Sequence, residues 1–183
     1  MPVLCIQIDE ETQLRLVEER HAEEYYALVE RNKEHLHAWM GWVNEENSVE
    51  SNRSYIKHML QQFANNQGFQ MGIWYQGRIV GSIAFNDLEW ESRKVEIGYW
   101  LAAEMQGKGL MTKACRTLIT YAFEEYKLHK VVIRVSVNNQ RSRAIPERLG
   151  FTQEGIIRHE EWLHDRYTDT VIYGLLANEW KNE

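Results

Sequence analysis

A change of rhythm between Val95 and Ala122 constrains this chain more than any other feature. Val95-Glu96-Ile97-Gly98-Tyr99-Trp100-Leu101 is an apolar run, while Met111, Ala114, Cys115, Leu118, Ile119 and Ala122 recur at helical spacing. Between the two stands Gln106-Gly107-Lys108-Gly109-Leu110-Met111-Thr112. A strand that turns into a helix through glycines leaves the first helical N–H groups without partners, with the positive end of the helix dipole behind them. Such a junction is an anion site, most often for phosphate. A Gly-X-Gly turn is also ordinary helix-start geometry, so the loop alone leaves both readings open. Two familiar nucleotide motifs do not fit. Gly-X-Gly-X-X-Gly fails because Thr112 stands at the third glycine, and Gly-x-x-x-x-Gly-Lys-Ser/Thr is absent. Read as a binding loop, the segment suggests a pyrophosphate held by backbone amides, with neither a Walker lysine nor a dedicated magnesium ligand.

The remaining periodicities surround this junction with a mixed set of elements. Residues 4–8 and 12–17 alternate as a strand pair or a bent strand, and His21 to His37 has helical spacing through Ala22, Tyr25, Tyr26, Val29 and Leu36. Ser51 to Phe63 reads as a second helix. Phe69–Tyr75 and Arg78–Phe85 read as strands joined by a Gln76-Gly77 hairpin turn. Lys94–Leu101 is a strand, followed by the loop and a helix to about Tyr126. Val131–Val137 is a β-branched strand. Gln140–Leu149 is a short helix closed by Gly150, and two strands finish the chain near Phe151–Trp162 and Thr168–Leu176. Hairpins combined with a strand–helix–strand crossover imply an α+β fold with a mixed sheet. Pro146 inside the short helix removes a backbone donor, which predicts a local irregularity there.

Composition narrows the class. With 183 residues, only two prolines and no Ser/Gly-rich run, residues 1–183 are expected to form one domain. The net charge of −6 argues against an electrostatic nucleic-acid binder. The two cysteines, Cys5 and Cys115, give neither a disulfide framework nor zinc spacing. Cys115 falls on the apolar helical stripe and is expected to be a buried thiol. The segment Met1 to Asp9 lacks a signal-peptide pattern, and no apolar run is long enough to span a bilayer. A cytoplasmic protein that engages neither membrane nor nucleic acid is the expectation. No metal is expected either: His159-Glu160-Glu161-Trp162-Leu163-His164 has one residue too many for His-Glu-x-x-His, and His35 and His37 face apart on a helix.

A second segment bears on the loop. Val137-Asn138-Asn139-Gln140-Arg141-Ser142 leads into the short helix that ends at Arg148-Leu149-Gly150-Phe151. Asn139 and Ser142 stand at a strand–helix junction where side chains reach a ligand, although helix capping is an equally ordinary use of both.

Taken in order, these motifs resemble a known family. Gln106-x-x-Gly109 after a strand and opening a helix is similar to the acetyl-CoA loop of the Gcn5-related N-acetyltransferases (GNAT). Asn139-x-x-Ser142 followed by Leu149-Gly150-Phe151 resembles that family's next motif. The family's loop usually ends in Gly or Ala, where this chain has Met111. His35 to Trp42, Ser51 onward, and Gly155-Ile156-Ile157-Arg158 through Tyr173 resemble the branch of RimL-type ribosomal-protein N-terminal acetyltransferases.

The resemblance implies a mostly antiparallel sheet with splayed central strands. It also implies transfer of an acetyl group from acetyl-CoA, as co-substrate, to an amine. Residues Gln106, Gly107, Lys108, Gly109, Leu110, Met111 and Thr112 would hold the pyrophosphate, Leu101 and Ala102 the pantetheine, and Asn139 would assist. Ser142 corresponds to a serine proposed to meet the departing sulfur, and Glu161 to a glutamate proposed as base through water. Glu96, on the strand feeding the loop, is the second candidate base, with an ion pair to Arg134 as its structural alternative. The acceptor implied is a protein N-terminus; a small amine such as a polyamine, amino acid or aminoglycoside is the rival. Trp39 and Trp42 fit an acceptor groove, and core packing or a homo-oligomer interface equally well.

Overall fold

The alternating apolar runs find their partners in one sheet. The computed structural model describes residues 4–43 and 47–181, so Met1, Pro2 and Val3 of the segment read for a leader lie outside the described residues. Its strands are β1 (Cys5–Gln7), β2 (Thr12–Leu16), β3 (Phe69–Tyr75), β4 (Arg78–Glu89), β5 (Lys94–Leu101), β6 (Lys130–Ser136), β7 (Thr152–Leu163) and β8 (Arg166–Leu176). They lie in the order β1-β2-β3-β4-β5-β6-β8-β7. The helices are α1 (Ala22–Arg31), α2 (Lys33–His37), α3 (Val49–Ala64), α4 (Leu110–Glu124) and α5 (Gln140–Arg148). Neighbouring strands are antiparallel except β5 and β6, and a parallel pair needs a crossover, here α4. The fold is α+β, as the periodicities imply.

Local chemistry explains most boundaries. Gln76 and Gly77 both have positive φ (50° and 79°), which suits a two-residue hairpin turn between right-twisted strands. Strand β4 runs on past Phe85 to Glu89 through a register shift. Helix α3 starts before Ser51 because Ser48 caps it: the Ser48 hydroxyl accepts the Ser51 N–H at 3.0 Å and the Ser51 hydroxyl accepts the Ser48 N–H at 2.9 Å.

One expectation is corrected. His21–His37 is not a continuous helix but a 3₁₀ turn at Glu19–His21 followed by α1 and α2, which part at Asn32. Asn32 is buried and leaves helical geometry at φ −110°, ψ 12°. Its amide donates to the Leu28 carbonyl at 3.0 Å, and its Oδ1 accepts the Ala103 N–H at 2.9 Å. The break ties the front helices to the segment just beyond β5.

Apolar burial divides between the two sheet faces. Ala114, Cys115, Leu118, Ile119 and Ala122 of α4 pack on Phe69, Phe85, Val95, Ile97 and Ile133. Tyr25, Leu28 and Val29 of α1 and Ile56 of α3 pack on Trp74, Ile79 and Trp100 of the other face. Each fully buried large side chain contributes about 1.5–3 kcal/mol. Cys115 is buried, and its thiol is pushed well up by that burial.

The sheet is incomplete at its centre. The β5–β6 ladder consists of Lys94↔Lys130, Val95↔Val131 and Glu96↔Val132, although β5 continues to Leu101 and β6 to Ser136. The strands therefore splay beyond Glu96, as the family resemblance implies.

Candidate functional site

The splay opens into a cleft of 1130 Å³ that is bounded by β5, the glycine loop, the first turn of α4 and one face of α5 from Gln140 to Arg148. Its size slightly exceeds the usual range for small-ligand pockets and suits a long ligand. His35, Leu36, Trp39 and Met40 wall it from the side of α2.

The loop has the backbone of an anion cradle. Gly107 and Gly109 sit at φ 77° and 75°, a left-handed conformation that side chains with a Cβ rarely adopt. A Cβ added at either would meet nothing within 4 Å, so both glycines present bare backbone to open space. Gly109 caps α4, and the first helical bond runs from Lys113 N–H to the Gly109 carbonyl at 3.0 Å. The amides of Leu110, Met111 and Thr112 thus precede the ladder and carry the positive end of the helix dipole. Arg141 and Arg148 add fixed positive charge to the wall, with Arg148 Nη1 bonded to Thr112 Oγ1 at 3.0 Å. A diphosphate fits this donor set without a metal ligand.

The residues singled out from the sequence divide three ways. Leu101, Gln106, Gly107, Gly109, Leu110, Met111, Thr112, Asn139 and Ser142 line the cleft. Ala102 does not: it is buried, and its N–H is bonded to the Val80 carbonyl at 2.9 Å, so it backs the wall. The Lys108 side chain also turns away, with its ammonium 3.6 Å from Met105 Sδ and over the Tyr75 ring. The two glutamates lie outside the lining. Glu161 is exposed on β7 near Gly41, whose Cβ position is 3.9 Å from Glu161 Oε1, just beyond the lining residues Trp39 and Met40. Glu96 pairs with Arg134 at 3.0 Å, the structural alternative considered for it. Burial raises the Glu96 carboxyl above its ordinary range, and Arg134 partly opposes that rise.

Asn139 and Ser142 are used differently. Asn139 Oδ1 accepts the Ser142 N–H at 3.2 Å, so its oxygen is an N-cap. The Ser142 hydroxyl caps nothing; it points to the Tyr99 phenol at 3.4 Å. Helix α5 runs through Pro146 without breaking. The irregularity expected there is one missing donor: residue 146 cannot supply an N–H to the Ser142 carbonyl. The Tyr99 hydroxyl fills that place at 3.0 Å. Burial, with Cys115 close by, pushes the Tyr99 phenol well up, so it keeps its proton.

Four contacts were not apparent from the motifs. Tyr99 looked like a strand residue in an apolar run. Gln106 spans the cleft mouth, with Oε1 accepting from Arg141 Nη1 at 2.6 Å and Nε2 lying 2.9 Å from His35 Nε2. His37 turns the other way, stacked on His164 at 3.5 Å between ring centroids. Arg143 and Glu147 anchor α5 to the Tyr173 hydroxyl at 3.0 and 2.7 Å. Only Pro146 carried a sequence signal, since it leaves the Ser142 carbonyl one donor short.

Comparison with known proteins gives the same picture. Residues 12–152 match the model of the acetyltransferase (GNAT) domain. The chain is 40% identical over 177 residues to YdaF of Bacillus subtilis (strain 168), provisionally named a ribosomal N-acetyltransferase, covering 96% of this chain and 97% of that protein. It is 30% identical over 173 residues to the ribosomal-protein-serine acetyltransferase of Escherichia coli (strain K12), covering 94% and 97%. Among solved structures, RimL, a ribosomal L7/L12 α-N-protein acetyltransferase in complex with coenzyme A, superposes with a TM-score of 0.92 at 27% identity, covering 96% of this chain and 99% of that one.

Proposed function

The chain belongs to the GNAT acetyltransferase family, and from that membership we propose that it carries an acetyl group from acetyl-CoA to a protein N-terminal α-amine, that of a ribosomal protein. The observation that carries the donor half is the cleft itself: left-handed glycines and unpaired α4 amides meet the splayed end of β5 in one continuous groove. The acceptor half rests on the relatives that act on ribosomal proteins. In this reading residues 1–183 work as one domain in the cytoplasm.

The chemistry follows from the groups at hand. The pyrophosphate lies on the amides of residues 107–112, and the pantetheine follows β5 at Leu101. An α-amine has a pKa of about 8 and must lose a proton before it attacks. Glu161, reached through water, takes that proton, with Glu96 as the second candidate. The tetrahedral oxyanion is met by backbone N–H groups of β5. The C–S bond then breaks, and Ser142 donates a hydrogen bond to the sulfur, which needs little acid help at a thiol pKa of about 8.5.

A thiol-release assay tests this reading with acetyl-CoA, peptides bearing free N-terminal serine or alanine, and a panel of polyamines, amino acids and aminoglycosides. Turnover on peptides above the small amines is expected. Efficient turnover on a small amine alone would overturn the protein acceptor. Tight acetyl-CoA binding without thiol release from any amine would make the chain a CoA-binding module.

A further inference from the structure

Ser142 is held in an unusual way. A serine inside a helix ordinarily faces solvent or bonds back to a carbonyl of its own preceding turn. Here the hydroxyl leans instead on Tyr99, a residue of the facing strand. The phenol has one proton, and geometry accounts for it: the phenol donates to the Ser142 carbonyl at 3.0 Å. Its oxygen therefore meets the Ser142 hydroxyl as an acceptor, at a looser 3.4 Å. The carbonyl is available because Pro146, four residues on, has no N–H to offer it. Had residue 146 carried an N–H, the helix would satisfy that carbonyl and the phenol proton would turn elsewhere.

We propose that Tyr99 is a positioning residue for Ser142: with Pro146 freeing the carbonyl, the phenol grips Ser142 at two atoms and keeps its hydroxyl aimed into the cleft. The strong contact fixes the turn. The weak contact holds the hydroxyl off the helix's own carbonyls, yet releases it at small cost when a better acceptor arrives. A thiolate at the end of β5 is such an acceptor. Tyr99 stays neutral throughout, because burial, with Cys115 of α4 close by, disfavours the phenolate.

This inference rests on the reading of Ser142 as donor to sulfur, so the test separates the two. The full-length protein is saturated with coenzyme A, and ultraviolet absorbance of the bound thiolate is followed against pH. Ser142→Ala is expected to move the thiol midpoint upward, because a donor to the thiolate is lost. Tyr99→Phe is expected to reproduce most of that move. Pro146→Ala gives the Ser142 carbonyl a backbone donor, so Tyr99→Phe in that background keeps α5 intact and still shows the raised midpoint. If Ser142→Ala raises the midpoint and Tyr99→Phe does not, the positioning role is overturned while the Ser142 reading stands. If Pro146→Ala returns Tyr99→Phe to the wild-type midpoint, Tyr99 merely repairs the helix and the proposal fails. A midpoint unmoved by Ser142→Ala, or no binding of coenzyme A, removes the Ser142 reading and this inference with it.

Discussion

Arg141 donates from Nη1 to Gln106 Oε1 across 2.6 Å, which joins the first turn of α5 to the glycine loop over the mouth of the cleft. The guanidinium is thereby held where the phosphates of the donor substrate would pass. Its loss should weaken ground state and transition state alike, since it is remote from the acetyl group. Arg141→Gln is expected to raise the KM for acetyl-CoA on the order of tenfold with kcat little changed, as for a charge-assisted hydrogen bond of about 1.5–3 kcal/mol. Steady-state kinetics in acetyl-CoA checks this; a fall in kcat at constant KM would place Arg141 in the chemistry instead.

Gly109 tests the cradle. At φ 75° an alanine is strained by about 1–2 kcal/mol, and its methyl would project into the open space before α4. Gly109→Ala is expected to lower the melting temperature modestly and to weaken coenzyme A binding by more than that strain alone. Calorimetric titration with coenzyme A gives the answer, and an unchanged Kd would detach the loop from the phosphates.

The identity of the base is read from the acidic limb of the pH–rate profile. A carboxylate base acts only when ionised, so the rate falls as pH drops through its pKa. Glu161→Gln is expected to flatten that limb. Should Glu96 be the base, the limb lies above the ordinary value of 4.5, because burial raises this carboxyl. Arg134→Met would then shift the limb to still higher pH, since Arg134 is the cation that opposes the rise. A limb indifferent to both changes would exclude both glutamates.

His21 should make stability pH-dependent. Its pKa is lowered, by burial first and by Arg20 second, and its Nδ1 accepts the Glu18 N–H at 3.0 Å as a neutral ring does. A group with a depressed histidine pKa binds more protons when unfolded, so its stabilisation is complete above 6.5 and fades as pH falls through the folded value. Thermal melts from neutral to mildly acidic pH are expected to show this fall, and His21→Gln to reduce it. An equal slope in both proteins would contradict it.

Tyr173 ties α5 to the sheet. Tyr173→Phe removes the hydroxyl that accepts from Arg143 and donates to Glu147, and is expected to cost about 1.5–3 kcal/mol, as for a hydrogen bond to a charged group. Denaturant unfolding measures the loss. The same variant should lower both turnover and coenzyme A affinity, since α5 carries Ser142 and also Arg141, which bonds Gln106 of the glycine loop.

Much of this molecule was legible because its signals are local. The hairpin at Gln76-Gly77, the stripe of α4 and the glycine loop each follow from a few adjacent residues. The break at Asn32 was not, because its cause is the Ala103 N–H, distant in sequence and satisfied only after the chain has folded. Tyr99 escaped for the same reason: nothing in an apolar strand announces a partner on α5. Glu96 was legible in both aspects, as a candidate base and as a partner of Arg134, and periodicity could not rank them. Asn139 likewise was legible both as a helix cap and as a ligand contact, and only the cap appears as a bond, to the Ser142 N–H.

The short β5–β6 ladder has a consequence for how the protein protects itself. From Ile97 onward β5 has no strand neighbour on its β6 side, and a bare strand flank ordinarily invites another chain to pair with it. This flank lies in the interior of the sheet, with Ser142 of α5 fastened to Tyr99 beside it. Another protein's strand has no margin along which to approach, whereas a thin, flexible, amide-bearing molecule can thread in end-on. Its interior position keeps the bare flank of β5 from edge-to-edge pairing with another sheet.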